Sequence, residues 1–285
     1  MEEDFFTSLR VAVVGLGLMG GSLALNLREH CKMLLAVDPD PATRQLATKE
    51  NIVDRISADP AEIIPHADFV ILAAPVDAIL EIIPQLPGLH PGSPVILDLG
   101  STKEKICQSL AGLPSRFEPI GGHPLCGKAM GGLPHADATL FQGANFVFSL
   151  LPNSTLRARL WASQLALTLG AQSIWSEPNP HDNWIAFTSH LPYLLSSALV
   201  LATPMEGSTL IGPGFLSTSR LASSPPSVMC PIMKTNRNHV LSAIASFRDQ
   251  LDYVENALKS EDYMALREVL TQAVIKKTTL TGKEN

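Results

Sequence analysis

The sequence predicts an α/β protein in two parts: a doubly wound, mostly parallel sheet over residues 1–152, then an all-helical region over 153–285. Three observations predict it. From Arg10 to about Leu151, short β-branched apolar runs alternate with amphipathic stretches, the pattern of successive βα units. The runs are continuously rather than alternately hydrophobic, as strands covered by helices on both faces are. Beyond Asn153 the alternation stops and helical spacing replaces it.

The strand candidates are VAVVG from Val11, MLLAVD from Met33, FVILAAP from Phe69, PVILDLG from Pro94, FEPIGGH from Phe117 and NFVFSLL from Asn145. Ser154 is placed to cap a helix through Leu156, Leu160, Trp161 and Leu165 that stops at Gly170, with one short strand around Ile174. Helices are expected over Trp184 to Leu201, Val240 to Leu258 and Tyr263 to Val274. Gly/Pro/Ser-rich loops separate them at Gly207 to Gly214 and Ser223 to Pro231. The charged tail after Lys276 is expected to fray.

Composition narrows the function. A chain of 285 residues with 46% hydrophobic content can bury two medium cores. A net charge of −6 without a dense Lys/Arg run offers no footprint for a nucleic acid. Met1 to Ser8 are acidic and aromatic, unlike an export signal, so a cytoplasmic location is expected. The apolar stretch Leu191 to Ala202, interrupted by Pro192, Tyr193 and two serines, falls short of the ~20 residues that cross a bilayer. It reads as a buried helix, with no membrane partner. Cys31, Cys107, Cys126 and Cys230 have no metal-type spacing, and no metal site is expected. Cys126, near His123, reads as a small core-filling thiol.

Two features point to a dinucleotide. VAVVGLGLMGGS places Gly15, Gly17 and Gly20 as G-x-G-x-x-G between the first strand and a helix. Gly15 serves the tight turn, Gly17 the close approach of a pyrophosphate, and Gly20 the packing of helix on strand. The next strand ends in Asp38, eighteen positions beyond Gly20, where a carboxylate accepts hydrogen bonds from an adenosine ribose. The first part is thus a Rossmann-type dinucleotide-binding domain. Asp38 would repel a 2′-phosphate, so NAD is favoured over NADP; Arg44 is the one nearby cation that argues the other way.

Ligands of open α/β sheets bind beyond the carboxyl ends of the strands, and two runs end in chemistry. VILDLGSTK places Ser101 and Lys103 after one strand, and PIGGHPLCG places His123 after another. Ser101 could equally be a helix cap or a catalytic hydroxyl. His123, between Gly121–Gly122 and Pro124, reads as catalytic. The combination of GGHP with DLGSTK before it and TSHLP at Thr188 to Pro192 resembles the prephenate/arogenate dehydrogenase family, and GPGF at Gly212, SRLASS at Ser219 and TNR at Thr235 extend the likeness over nearly the whole chain.

The resemblance implies NAD-dependent oxidative decarboxylation of prephenate or arogenate in tyrosine biosynthesis, and a helical C-terminal domain that makes a homodimer by exchanging helices. It implies that His123 takes the C4-hydroxyl proton with Ser101 as helper and cofactor contact, that Arg220 binds a substrate carboxylate, and that His190 faces the substrate and cofactor. A base must be neutral, and an ordinary histidine loses its proton near ~6.5. His30, His66, His90, His135, His181 and His239 lack comparable context and read as surface or capping residues. Tyr193, Ala129 and Ser217 depart from the family's pattern and leave the choice of substrate open. The rival readings are a β-hydroxyacid dehydrogenase or ketopantoate reductase, whose catalytic lysine has no counterpart between Asn179 and Met233, and a non-catalytic NAD-binding module.

Overall fold

A computed structural model describes residues 5–128 and 130–282. The targeting argument's Met1 to Asp4 and the departure at Ala129 lie outside the described residues. By contacts the chain forms two compact units that divide between Arg237 and Asn238.

The first unit is built on one eight-stranded sheet. Its strands are β1 (Arg10–Val14), β2 (Met33–Val37), β3 (Arg55–Ser57), β4 (Phe69–Leu72), β5 (Val95–Asp98), β6 (Glu118–Pro124), β7 (Asn145–Ser149) and β8 (Gln172–Trp175). They lie in the order β3-β2-β1-β4-β5-β6-β7-β8. All neighbours run parallel except β6 and β7, which are antiparallel. The order reverses between β1 and β4, which is where such sheets open a crevice for a ligand. Every strand candidate is present; the exception in the other direction is β3, an edge strand of three residues with no apolar run to betray it.

Strand periodicity sorts the core into two layers. Val11, Val13, Phe69, Ile71, Val95 and Leu97 face one way, against Leu23 and Leu27 of α1 (Leu18–Leu27) and Trp161 and Leu165 of α6 (Leu156–Thr168). Ala12, Val14, Val70, Leu72 and Ile96 face the other. They pack on Ile79 of α3 (Val76–Ile82) and on Ile106 and Leu110 of α5 (Glu104–Ala111). With both faces covered, alternation in the sequence would expose nothing, and the strands read as unbroken apolar runs. The remaining sheet helices are α2 (Pro41–Lys49) and the single-turn α4 (Leu86–Leu89).

Local capping differs from expectation by one residue. The Thr155 side chain accepts from the Ala158 amide at 3.1 Å and starts α6. Ser154 is spent elsewhere: its hydroxyl donates to the Pro119 carbonyl at 2.6 Å and accepts from the Leu151 amide at 2.9 Å.

The rest of the first unit is helical: α7 (Pro178–Ile185), a π-helical turn (Ala186–His190), α8 (Leu191–Ala202), α9 (Pro213–Ser219) and α10 (Pro226–Thr235). The expected loop at Ser223 to Pro231 is largely α10, because Pro226 opens a helix at the position where a missing N–H costs nothing. Pro192 does not break the chain either. It sits in the first turn of α8 directly after the π turn, so helix runs continuously from Pro178 to Ala202. At 25 residues that run is long and apolar enough, by length and composition alone, to cross a membrane, which corrects the shorter estimate from Leu191. Nor is α8 a buried helix: only Leu191 and Ser196 are buried along it, and Leu201 is 87% exposed. Polar residues hold the first half of this run, as described below.

The second unit contains the greater part of α11 (Arg237–Lys259) and all of α12 (Tyr263–Thr281). The Asp262 carboxylate caps α12 by accepting from the Ala265 amide at 3.0 Å. Its end is also defined, by Gly282 in a left-handed conformation with φ 61°, so helix continues past Lys276 where fraying was expected. No residue of α12 is buried, although Tyr263, Met264, Leu270, Val274, Ile275 and Leu280 lie along it.

Candidate active site and family

The glycine turn follows β1. Gly15 takes φ +94°, a conformation that favours glycine, and its amide bonds to the Val37 carbonyl at 2.7 Å. A Cβ on Gly20 would lie 1.9 Å from the Gly15 carbonyl oxygen, so helix and turn touch only because that atom is missing. At Gly17 a Cβ would meet nothing within 4 Å. Gly17 precedes α1, and no side chain caps the first helical amides. Asp38 closes the same end of the sheet. Its buried carboxylate accepts from the Leu16 amide at 2.7 Å and the Asp40 amide at 2.9 Å, which ties the tip of β2 to the glycine turn. Arg44 bends back to the carbonyls of Asp38 and Pro39, both at 2.8 Å. The turn, the open helix end and the acidic residue fit a dinucleotide's pyrophosphate and ribose.

Two strands along, β5 and β6 end in a polar cluster. Asp98, wholly buried, forms an ion pair with wholly buried Lys103 and accepts from the amides of Gly100 at 3.0 Å and Gly122 at 3.2 Å. Burial pushes the Asp98 carboxyl up, against the pull of Lys103. Lys103 also donates to the Gly122 carbonyl at 2.5 Å and so fixes the peptide preceding His123. Room for these contacts comes from the two glycines: a Cβ would lie 2.7 Å from Cys107 Sγ at Gly121, and 2.7 Å from the Asp98 carbonyl oxygen at Gly122. His123 follows them, half-buried, near the carboxyl end of β6.

His123 Nδ1 lies 2.9 Å from His181 Nε2, and His181 Nδ1 lies 2.8 Å from Asp182 Oδ1. The Asp182 carboxylate in turn accepts from the amides of Lys103 at 2.6 Å and Glu104 at 2.9 Å, the start of α5. Asp182 is therefore the cap of that helix. Ser101 is not: it is half-buried, and its hydroxyl makes no hydrogen bond among the described residues. His190, in the π turn, is 1% exposed. Asn236 Nδ2 reaches the Asp182 carbonyl at 2.7 Å and His190 Nδ1 at 3.1 Å. An atom facing a carbonyl must be the donor, so His190 Nδ1 accepts and its proton rests on Nε2.

Both rings are held neutral. Burial, then the neighbouring His181, Lys103 and His190, pull His123 well below the ordinary histidine value, so it is deprotonated at more acidic pH than the ~6.5 expected of an isolated ring. Burial brings His190 down to about 4. Cys126 is pushed up to about 11 by burial, which makes it a poor nucleophile.

Arg220 is not part of this cluster's hydrogen bonding. It is exposed at the start of a short 3₁₀ turn and makes no ion pair among the described residues. That turn is fastened to α8 by the Ala222 amide, which donates to Ser196 Oγ at 2.9 Å. Sequence reasoning passed over His181 as a surface or capping residue, whereas it is buried and touches His123. It also passed over Asp182, Asn236 and Asp98, the partner of Lys103. Asn236 lies within the TNR segment that carried the family resemblance, but nothing in the spacing linked it to His190.

Comparison with known proteins agrees with this geometry. The chain is 27% identical over 265 residues to prephenate dehydrogenase of Bacillus subtilis (strain 168), covering 88% of this chain and 71% of that protein. The structure superposes on prephenate dehydrogenase from A. aeolicus in complex with hydroxyphenyl propionate and NAD+. The TM-score there is 0.89 and the identity 26%, with 97% of this chain and 99% of that one covered. Synechocystis arogenate dehydrogenase gives a TM-score of 0.79 at 26% identity over 95% of this chain and 99% of that one. The nucleotide-binding domain of prephenate dehydrogenase matches residues 23–165 and its dimerization domain matches residues 177–272, and the chain belongs to the prephenate dehydrogenase family.

Proposed function

We propose that this dehydrogenase carries out the NAD-dependent oxidative decarboxylation of prephenate or arogenate, with His123 as the base. The observation that carries the reading is His123 at the end of β6: a neutral ring, half-open, with no hydrogen bond to Nε2 among the described residues. The NAD+ complex of the A. aeolicus relative supports the cofactor. Gly15, Gly17 and Gly20 would hold the pyrophosphate at the start of α1, and Asp38 the ribose, with NADP disfavoured by the same carboxylate. When bound, the nicotinamide supplies the acceptor for the hydride leaving C4.

The protein's own part is positional and acid–base. His123 Nε2 takes the C4-hydroxyl proton; the bond to the ring carboxylate breaks, its electron pair enters the ring, and CO2 leaves an aromatic phenolate, which regains a proton to become the phenol. Ser101, its hydroxyl unspent on the helix, follows the neighbouring strand and would share that proton's hydrogen bond. His190, fixed as an Nε2–H donor, suits a substrate oxygen. Arg220, whose guanidinium makes no ion pair among the described residues, suits a carboxylate. Residues 1–152 would thus bind the cofactor, while 153–285 supply His190 and Arg220 and the dimer surface. The matched dimerization domain and the exposed apolar residues of α12 support a homodimer. A cytoplasmic location agrees with its relatives' biosynthetic role.

An assay of NADH formation with prephenate and with arogenate, each with NAD and NADP, tests the reaction and resolves the substrate. Absence of turnover with either substrate would remove the reading. Solution mass tests the dimer: fully active protein at 30.6 kDa would exclude it.

A further inference from the structure

Which nitrogen of His123 carries its proton decides whether that ring can act as a base. A neutral imidazole has one N–H and one bare nitrogen, and in a buried cluster the neighbours choose between them. Three linked contacts choose here. The Asp182 carboxylate can only accept, and it already receives the amides of Lys103 and Glu104. His181 Nδ1, 2.8 Å away, must therefore be an N–H donor. That leaves His181 Nε2 bare in the neutral ring, so it can only accept at its 2.9 Å contact with His123 Nδ1. His123 Nδ1 consequently holds the proton and His123 Nε2 is bare.

We infer that His181 and Asp182 are positioning residues that wire His123 into the one tautomer able to accept a proton at Nε2. The inference deepens the proposed reaction and rests on it for the use made of that nitrogen. Among the described residues, the contact with His181 is the one hydrogen bond made by the His123 ring. The other titratable groups facing His123 are Lys103 and His190, and each is engaged elsewhere: Lys103 with Asp98 and the Gly122 carbonyl, His190 with Asn236. The same device runs in the opposite sense at His190, where the Asn236 donor leaves the proton on Nε2. Two histidines of one site are thereby given opposite roles. Because Asp182 also caps α5, which carries Lys103 at its start, the arrangement of His123 depends on the same carboxylate that begins the helix.

The test reads the proton directly. In full-length protein with isotope-labelled histidine, one-bond N–H couplings assign the tautomer of His123, identified by difference against His123→Gln. The expected result is a proton on Nδ1; a wild-type His123 protonated on Nε2 overturns the inference. Two variants add a kinetic arm. In His181→Gln, the amide NH2 can donate to Asp182 and its oxygen can accept from His123, so the tautomer should persist and kcat should stay within about tenfold of wild type. His181→Leu offers His123 nothing, and kcat should fall by about 10²–10⁴-fold, the range for a misplaced or misoriented acid–base group, with substrate KM within a few-fold. If kcat in the pair follows thermal stability instead of hydrogen-bonding capacity, the role is structural and the inference fails. Should His123 carry its proton on Nδ1 while neither prephenate nor arogenate turns over, the wiring stands and the reading of the reaction falls.

Discussion

The glycine turn and the histidine cluster occupy neighbouring strand ends of one sheet, yet they are made in different ways. The turn is made of backbone: what matters at Gly15, Gly17 and Gly20 is conformation and the absence of atoms within six consecutive positions. The cluster is made of side chains contributed by β5, β6, α7, the π turn and the end of α10, which meet only after the chain has folded. Function concentrated in backbone geometry is local and tolerates distant change. Function concentrated in a hydrogen-bond chain depends on every member, including members that never touch substrate.

Substitution at the tip of the cluster should have the largest effect. His123→Asn removes the proposed base, and kcat is expected to fall by about 10²–10⁴-fold with a much smaller change in substrate KM and a near-normal thermal melt. Wild-type activity should stay level down to below pH 6.5 and then decline, because the neutral ring is the active form and its pKa is depressed. A folded variant that turns over within a few-fold of wild type would place the base elsewhere.

Arg220→Gln tests the member that stands apart. Loss of a charge-assisted pair with a carboxylate, about 1.5–3 kcal/mol, corresponds to a roughly 10- to 150-fold drop in kcat/KM, expressed mainly in substrate KM. Unchanged KM would remove Arg220 from the site.

The turn can be dissected with two neighbouring glycines. Gly20→Ala places a methyl 1.9 Å from a carbonyl oxygen and should lower stability by at least the ~1–3 kcal/mol typical of overpacking. Gly17→Ala meets open space, so the melt of the free protein should be unaltered while NAD affinity drops roughly tenfold, or ~1.4 kcal/mol. Equal melts for the two variants would contradict the geometry.

A pH dependence of stability is expected at His190. Its folded value of about 4 lies below the unfolded ~6.5, so the unfolded chain binds more protons between those limits. Stability is therefore full above about pH 6.5 and is lost progressively as pH falls toward 4, by up to about 3 kcal/mol. Melts of wild type and His190→Gln across that window check the sign: the variant should be less sensitive to acid.

The contrast explains what could be read in advance. Strands β1, β2 and β4 to β7 announced themselves as apolar runs because both sheet faces are covered, and Gly15, Gly17, Gly20 and Asp38 were legible because strand, turn and helix are contiguous in sequence. His123 was visible from Gly121–Gly122 before it and Pro124 after it. His181 and Asp182 were not, since a buried histidine and a surface one look alike without their partners. Helix α10 was hidden by its prolines, and β3 by its length.

By itself, then, the sequence determined the sheet and the dinucleotide turn and pointed to candidate site residues, because those follow from local periodicity and from atoms a few positions apart. Tertiary structure alone decided which histidines meet, that Asp182 rather than Ser101 caps α5, and where the proton sits on each ring. Those outcomes depend on donors and acceptors brought together across 58 positions between His123 and His181 and 46 between His190 and Asn236, and no local spacing encodes them.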